Sequence, residues 1–274
     1  MLSLTTDYFD DVGCPEPSLR RIAEAGFSHI HWCHQWNTDF LYAHPEIDQI
    51  EMWLRKFGLK LCDLHASSGV EKNWGSTLEY ERLAGVDMIQ NRIDMTSRLG
   101  GDVIIMHLGD EPKDEKEQEE FWTRMLKSLD CLEACARSWG VRIAIENGQF
   151  PAIRKVLDRY SPEYVGLCYD CGHGNLIPDG LDQLDALKDR LISVHLHDNN
   201  GIADQHKLLF SGTVDWPRLA RIIARSAYTK CVSMESNMRG FGYKDEPAFL
   251  AEAFETGNRF QAMVDAERAA NASN

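Results

Sequence analysis

Short runs in which apolar residues alternate with small or polar ones recur along the whole chain, separated by longer stretches with helical spacing. The alternating runs are LSLTT (2–6), FSHIHW (27–32), LKLCDLH (59–65), DVIIMHL (102–108), VRIAIEN (141–147), YVGLCYD (164–170), LISVHLHD (191–198) and KCVSMES (230–236). Such runs predict strands. The segments between them, at 17–25, 46–57, 78–99, 114–139, 151–159, 181–189, 216–226 and 247–268, predict helices. Eight strands each followed by a helix is the count of a (β/α)8 barrel, and 274 residues suits that fold's length of about 250. No Gly/Ser- or Pro-rich linker divides the chain, so the pattern predicts one α/β domain over 1–274. A doubly wound sheet would place a glycine loop for phosphate after its first strand, and TTDYFDDVG is not one.

The alternation also sorts the side chains. In the seventh run Ile192, Val194 and Leu196 alternate with Ser193, His195 and His197, and in the eighth Val232 and Met234 alternate with Cys231, Ser233 and Glu235. The aliphatic set fits against helices. The other set begins small and ends in a side chain able to hold a metal, at the carboxyl end of the strand where barrels carry their chemistry. The last inward positions are His65, His107, Glu146, Asp170, His195 and Glu235. One histidine at a strand end is usually a hydrogen-bonded core residue. Six ionisable groups on one rim would be costly to desolvate without compensation, and a divalent cation supplies it.

Mixed imidazole and carboxylate ligands suit Mn, Zn, Co or Fe better than Ca, with Mg also admitted. Glu146, Asp170, His195 and Glu235, on four successive strands, are placed to surround one ion. His65, His107, His173 in DCGH, and Asp204 with His206 in ADQH, are available for a second metal or for substrate hydroxyls. Asp198 reads as a hydrogen-bonding turn residue, and His197 as a neighbour of the ligands or a solvent-facing group.

Composition narrows the partners. A net charge of −14 and the acidic stretch GDEPKDEKEQEE (109–120) argue against broad contact with nucleic acid, which rests on Lys and Arg. The stretch itself reads as a solvated helix start. Eight scattered cysteines suggest reduced thiols and a cytoplasmic location, and the Cys168/Cys171 pair reads as packing. No signal peptide or membrane span is expected.

Four motifs together, IEN, DCGH, HLHDN…D-x-H…GTVDW and MES, resemble the xylose-isomerase-like TIM-barrel superfamily, in its sugar phosphate isomerase/epimerase group. The resemblance implies that Glu146, Asp170, His195 and Glu235 bind one catalytic divalent ion, manganese among the candidates. It also implies that the two glutamates serve as acid and base. The family more often has lysine where this chain has His197. Endonuclease-IV-type enzymes of the same superfamily hold three zinc ions, and their ligands would fall on His65, His107, Glu146, Asp170, His173, His195, Asp204, His206 and Glu235. The acidic balance and the lack of a basic DNA-binding loop speak against that rival.

The expected reaction is isomerisation or epimerisation of a sugar through proton transfer beside a carbonyl, with elimination from a 3-keto-glycoside sharing the first step. His34, Trp36, Trp74 and Arg239 are the candidate substrate contacts, and Lys72 and Arg92 are further candidates for an anionic group. Trp32 reads as closing the barrel top. A small sugar-derived substrate is the expected partner, and barrels resembling this one often form homo-oligomers.

Overall fold

The computed structural model describes residues 1–9, 13–239 and 242–272. Its strands are β1 (Leu2–Thr5), β2 (His29–Trp32), β3 (Lys60–His65), β4 (Val103–Met106), β5 (Arg142–Glu146), β6 (Val165–Asp170), β7 (Leu191–His195) and β8 (Val232–Met234). They are parallel, in the order β7-β6-β5-β4-β3-β2-β1-β8. The ring closes where Leu196 N donates to Ser233 O (2.9 Å) and Glu235 N donates to Leu196 O (3.0 Å). The architecture is therefore the predicted TIM barrel. The ladders stop short of the sequence runs, so His107, His197 and Glu235 stand just past the ends of their strands.

Around the ring lie α1 (Glu16–Glu24), α2 (His44–Phe57), α3 (Glu79–Arg98), α4 (Glu115–Trp139), α5 (Phe150–Arg159), α6 (Cys171–Asn175), α7 (Gly180–Leu187), α8 (Trp216–Ala224) and α9 (Glu246–Ala272). Local chemistry accounts for their ends. The acidic stretch becomes the start of α4, where the Asp114 carboxylate caps the amides of Lys116 and Glu117, and Gly140 ends the helix at φ 65°. The short α6 is not foreseen by periodicity. It forms because the Asp170 carboxylate accepts the His173 amide at 2.7 Å, which turns the chain sharply at the strand end.

Two register breaks reset the inner face. Between β2 and β3 the pairing jumps from Ile30–Leu61 to His31–Asp63, and between β6 and β7 from Leu167–Leu191 to Cys168–Ser193. Each leaves one extra residue, Cys62 and Ile192, as a bulge does. Ile192, assigned by alternation to the helix side, instead joins Val103, Ile105, Ala144 and Cys168 in a small cluster apart from the main core. Gly166 makes the room: a Cβ there would lie 2.7 Å from Ile192 Cδ1 and 2.9 Å from Arg190 O. Cys168 thus packs the barrel floor, while the buried Cys171 thiol donates to His197 O at 3.1 Å. Among the described residues no helix is long and apolar enough to cross a membrane.

Gly166→Ala should therefore overpack the floor and cost roughly 1–3 kcal/mol in urea unfolding. Ile192→Val in the same chain should recover part of that loss. Unchanged stability in the single variant would mean that Ile192 does not fill the floor as described.

Candidate active site

The site rests on a buried polar base. His31 on β2 donates through Nδ1 to Asp63 Oδ1 at 2.7 Å, and Asp63 also accepts the Ser193 hydroxyl. The other ring nitrogen of His31 faces Cys33 Sγ at 2.9 Å and Glu235 Oε1 at 3.6 Å. Burial opposes charge on His31, but Asp63 and then Glu235 outweigh it and raise the imidazole to about 10. His31 and Asp63 are absent from the sequence-derived set, which took only the last inward position of each strand. Their inward parity in FSHIHW and LKLCDLH was the available signal.

Above this base three predicted ligands converge. His195 Nδ1 lies 3.2 Å from Glu146 Oε2 and 3.4 Å from Glu235 Oε2. Both ring nitrogens of His195, and Glu146 Oε2, are buried without a hydrogen-bond partner among the described residues. Burial pushes Glu146 up, but the imidazoles of His107, His195 and His173 hold its carboxyl well below the usual range. Glu235 is held low in the same way, against burial, chiefly by His195 and His31. Asp170, the fourth of the predicted ligands, is engaged with its neighbours: Oδ2 accepts from His197 Nε2 at 3.0 Å and Oδ1 caps α6.

Two further groups flank the centre. His65 donates through Nδ1 to Ala66 O at 3.0 Å, which leaves the Nε2 lone pair 3.1 Å from His107 Nε2. Glu146 Oε2 is 3.5 Å from that His107 nitrogen. Burial and His107 lower His65 to about 3, so it is neutral. On the other flank Asp204 Oδ2 is 3.2 Å from both His173 Nε2 and His206 Nε2. His173 Nδ1 lies 3.3 Å from Glu146 Oε1, linking this flank to the centre. His206, at φ 46°, donates through Nδ1 to Glu235 O at 2.8 Å.

The expected solvent-facing alternative for His197 does not hold. Its ring is fully buried and stacks on His206 with centroids 3.9 Å apart. Gly172 permits this, since a Cβ there would sit 1.9 Å from His197 Cε1.

The donor set fits a cation. Histidines that donate one nitrogen to a carbonyl while offering the other lone pair to the site are oriented as metal ligands are. Lone pairs and carboxylates aimed at one another, with orphaned buried atoms among them, need positive charge for balance. His65 with His107 and Glu146, and His173 with His197, Asp204 and His206, each bring ligand atoms within 4.8 Å of one another.

Asp198 proves to be the clamp of the long β7–α8 loop. Its carboxylate accepts from the amides of Asn199 (2.9 Å) and Val214 (3.1 Å) and from Trp216 Nε1 (2.9 Å). That explains why HLHDN and GTVDW occur together. Trp36 lies over His65 with ring centroids 4.3 Å apart, at the site. His34 lines a separate cavity with Gln35, Tyr42 and Trp53, and Trp32 is buried with its Nε1 donating to Tyr42.

Trp74 belongs to the hydrophobic core, its carbonyl held by Ser128 and its backbone seated against Gly85, so it does not face the mouth. Arg239 pairs with Asp7 at 2.8 Å. Arg92 is fully buried, over the Tyr42 ring and donating to Phe40 O, and so braces the loop after β2 instead of meeting an anion. Lys72 reaches toward Asp39 O at 3.5 Å. A cavity of about 390 Å³ opens beside the centre, bounded by His107, Glu146 and His173.

A family model described as xylose isomerase-like TIM barrel matches residues 19–253. The chain is 30% identical over 285 residues to the uncharacterised protein y4fM of Sinorhizobium fredii (strain NBRC 101917 / NGR234), covering 93% of this chain and 91% of the relative. It is 27% identical over 199 residues to a probable endonuclease 4 of Mycobacterium ulcerans (strain Agy99), covering 66% and 74%. Among solved structures, a D-tagatose 3-epimerase-like protein superposes with a TM-score of 0.79 at 18% identity, covering 97% of this chain and 98% of that one.

Removing Asp63 should expose how much the base matters. Asp63→Ala leaves a buried imidazole without its carboxylate and should cost about 3–5 kcal/mol in urea unfolding. A variant as stable as the parent would show that the His31–Asp63 pair does not support the site.

Proposed function

The chain belongs to the xylose isomerase-like TIM-barrel family, and on that premise we propose that it is a divalent-metal-dependent isomerase or epimerase of a keto-sugar or related hydroxy-carbonyl compound. One observation carries the reading: two buried carboxylates, Glu146 and Glu235, approach the same nitrogen of His195 at 3.2 and 3.4 Å. Two carboxylates around a shared centre suit a reaction that removes a proton on one side of a carbon and returns one on the other.

Glu146, Asp170, His195 and Glu235 would hold the ion, one of Mn, Zn, Co, Fe or Mg. Such an ion, when bound, polarises the substrate carbonyl and stabilises charge on its oxygen. Glu146 and Glu235 act as base and acid. The carboxyl that returns the proton must enter the step protonated, so the two must titrate apart once substrate is bound. His173, fixed between Glu146 and Asp204, orients a substrate oxygen as charge develops on it. Trp36 supplies an apolar face beside His65. His65, His107, Asp204 and His206 hold substrate hydroxyls or a second ion. Where a substrate carries a leaving group β to the carbonyl, the same proton removal leads to elimination.

A specific observation favours a second reading, a zinc phosphodiesterase. The two flanking ligand groups include the same residue types that the endonuclease resemblance requires. The net charge of −14 weighs against it.

Incubation of the metal-loaded protein with a panel of keto-sugars in deuterated water should place deuterium on the carbon beside the carbonyl. Glu146→Gln and Glu235→Gln should each lower that exchange by roughly 10²–10⁴-fold. No exchange with any member, together with three bound zinc ions and cleavage of abasic DNA, would replace this reading with the second. Chelation should stop exchange and lower the melting temperature, because an ion bound only by the folded chain stabilises it by mass action. A melting temperature indifferent to chelator would remove the ion from the reading.

A further inference from the structure

The cavity beside the catalytic centre has walls unlike its mouth. Its centre side presents His107, Glu146 and His173, and its other side is formed by Leu108, Ala152, Ile153, Leu176 and Ile177. Leu108, Ala152 and Ile153 are buried in the protein around it, while Leu176 stands 36% exposed at the rim. Asn147, also in the lining, is tied into the fold. Asn147 donates through Nδ2 to Asp170 O at 2.9 Å and accepts the Asp170 amide at 2.6 Å, so its carboxamide is committed at both ends. At the outer edge Gln149 is directed at Asp110, 3.5 Å away. Among the described lining residues there is no lysine or arginine, and the carboxylates are Asp110 and Glu146.

These walls are ill-matched to a bare sugar. A polyol carries hydroxyls along its length, and burying them against aliphatic side chains without partners is costly. A phosphate or carboxylate would meet the carboxylates of Asp110 and Glu146, with no lysine or arginine and only the imidazoles of His107 and His173, already engaged with Glu146, against them. What the walls accept is a neutral apolar group. Because Glu146 and His173 line the same space, such a group would be attached to the molecule being turned over.

We propose that this chamber is a subsite for a neutral apolar substituent, alkyl or aryl, carried by the substrate next to its reacting carbons. The inference rests on the keto-sugar reading above and narrows it from free or phosphorylated sugars to sugars bearing an apolar appendage. Leu108, Ala152 and Ile153 form the fixed wall, and Leu176 and Ile177, which follow α6, form the outer one.

Calorimetric titration of the metal-loaded protein with phenyl and methyl 3-keto-glucosides and with a keto-sugar phosphate tests the chamber by binding alone. The phenyl compound should bind roughly ten- to hundredfold tighter than the methyl one, the gain expected for burying an aromatic ring. The phosphate should bind no better than the methyl compound. Ala152→Phe, which fills the chamber, should reduce the phenyl-to-methyl ratio to near one. Leu176→Asp, a rim change that spares the buried packing, should cut the ratio severalfold. Equal binding of phenyl and methyl compounds by the parent protein, or tighter binding of the phosphate, overturns the proposal. Failure of the enzymatic reading is separate: absence of deuterium exchange with a persistent phenyl preference would remove the isomerase and leave the chamber.

Discussion

The barrel mouth is organised by the need to balance charge where water is scarce. Glu146, Asp170 and His195 are almost wholly removed from solvent, and Glu235 nearly so. Buried groups of this kind cost several kcal/mol each unless something answers them. The chain answers part of that need itself, by bridging Asp170 with His197 and Asp204 with His173 and His206. It leaves Glu146 Oε2 and both nitrogens of His195 without a hydrogen-bond partner among the described residues. The remaining demand is for a positive charge at the centre, where the surrounding imidazoles hold both glutamates low against the pull of burial.

Much of the surrounding fold holds this arrangement in place. The bulge in β3 brings Asp63 into line with His31, which stands against Glu235. The Asp198 clamp fastens the β7–α8 loop so that Asp204 and His206 return over the centre. Gly172 lets α6 pass close under the His197 ring, and α6 in turn delivers His173 to Glu146. Rigid placement of this kind is what acid–base chemistry at carbon requires, since the reacting groups must be within reach without rearrangement.

The cavity beside the centre gives the site a direction. Charged and imidazole groups occupy the side toward the barrel axis, and aliphatic ones the side toward α5 and the segment after α6. A ligand spanning both would present polar atoms at one end and an apolar group at the other. The acidic surface and the absence of lysine and arginine from the described cavity lining fit that polarity better than a phosphate-bearing ligand.

The amino-acid sequence by itself determined the barrel, because period-two alternation and helical spacing are local properties that every strand and helix repeats. It also determined which strand ends carry ionisable groups, since parity names the inward face. Parity failed where a bulge inserted a residue, so Ile192 appeared on the wrong face. Proximity across the ring failed for a different reason: Trp74, Arg92 and His197 look like rim residues in sequence, yet packing buries the first two away from the mouth and draws the third into it. Only the tertiary structure decided these, along with the His31–Asp63 base and the apolar chamber. Each depends on residues far apart in the chain meeting in space, and no local pattern records such a meeting.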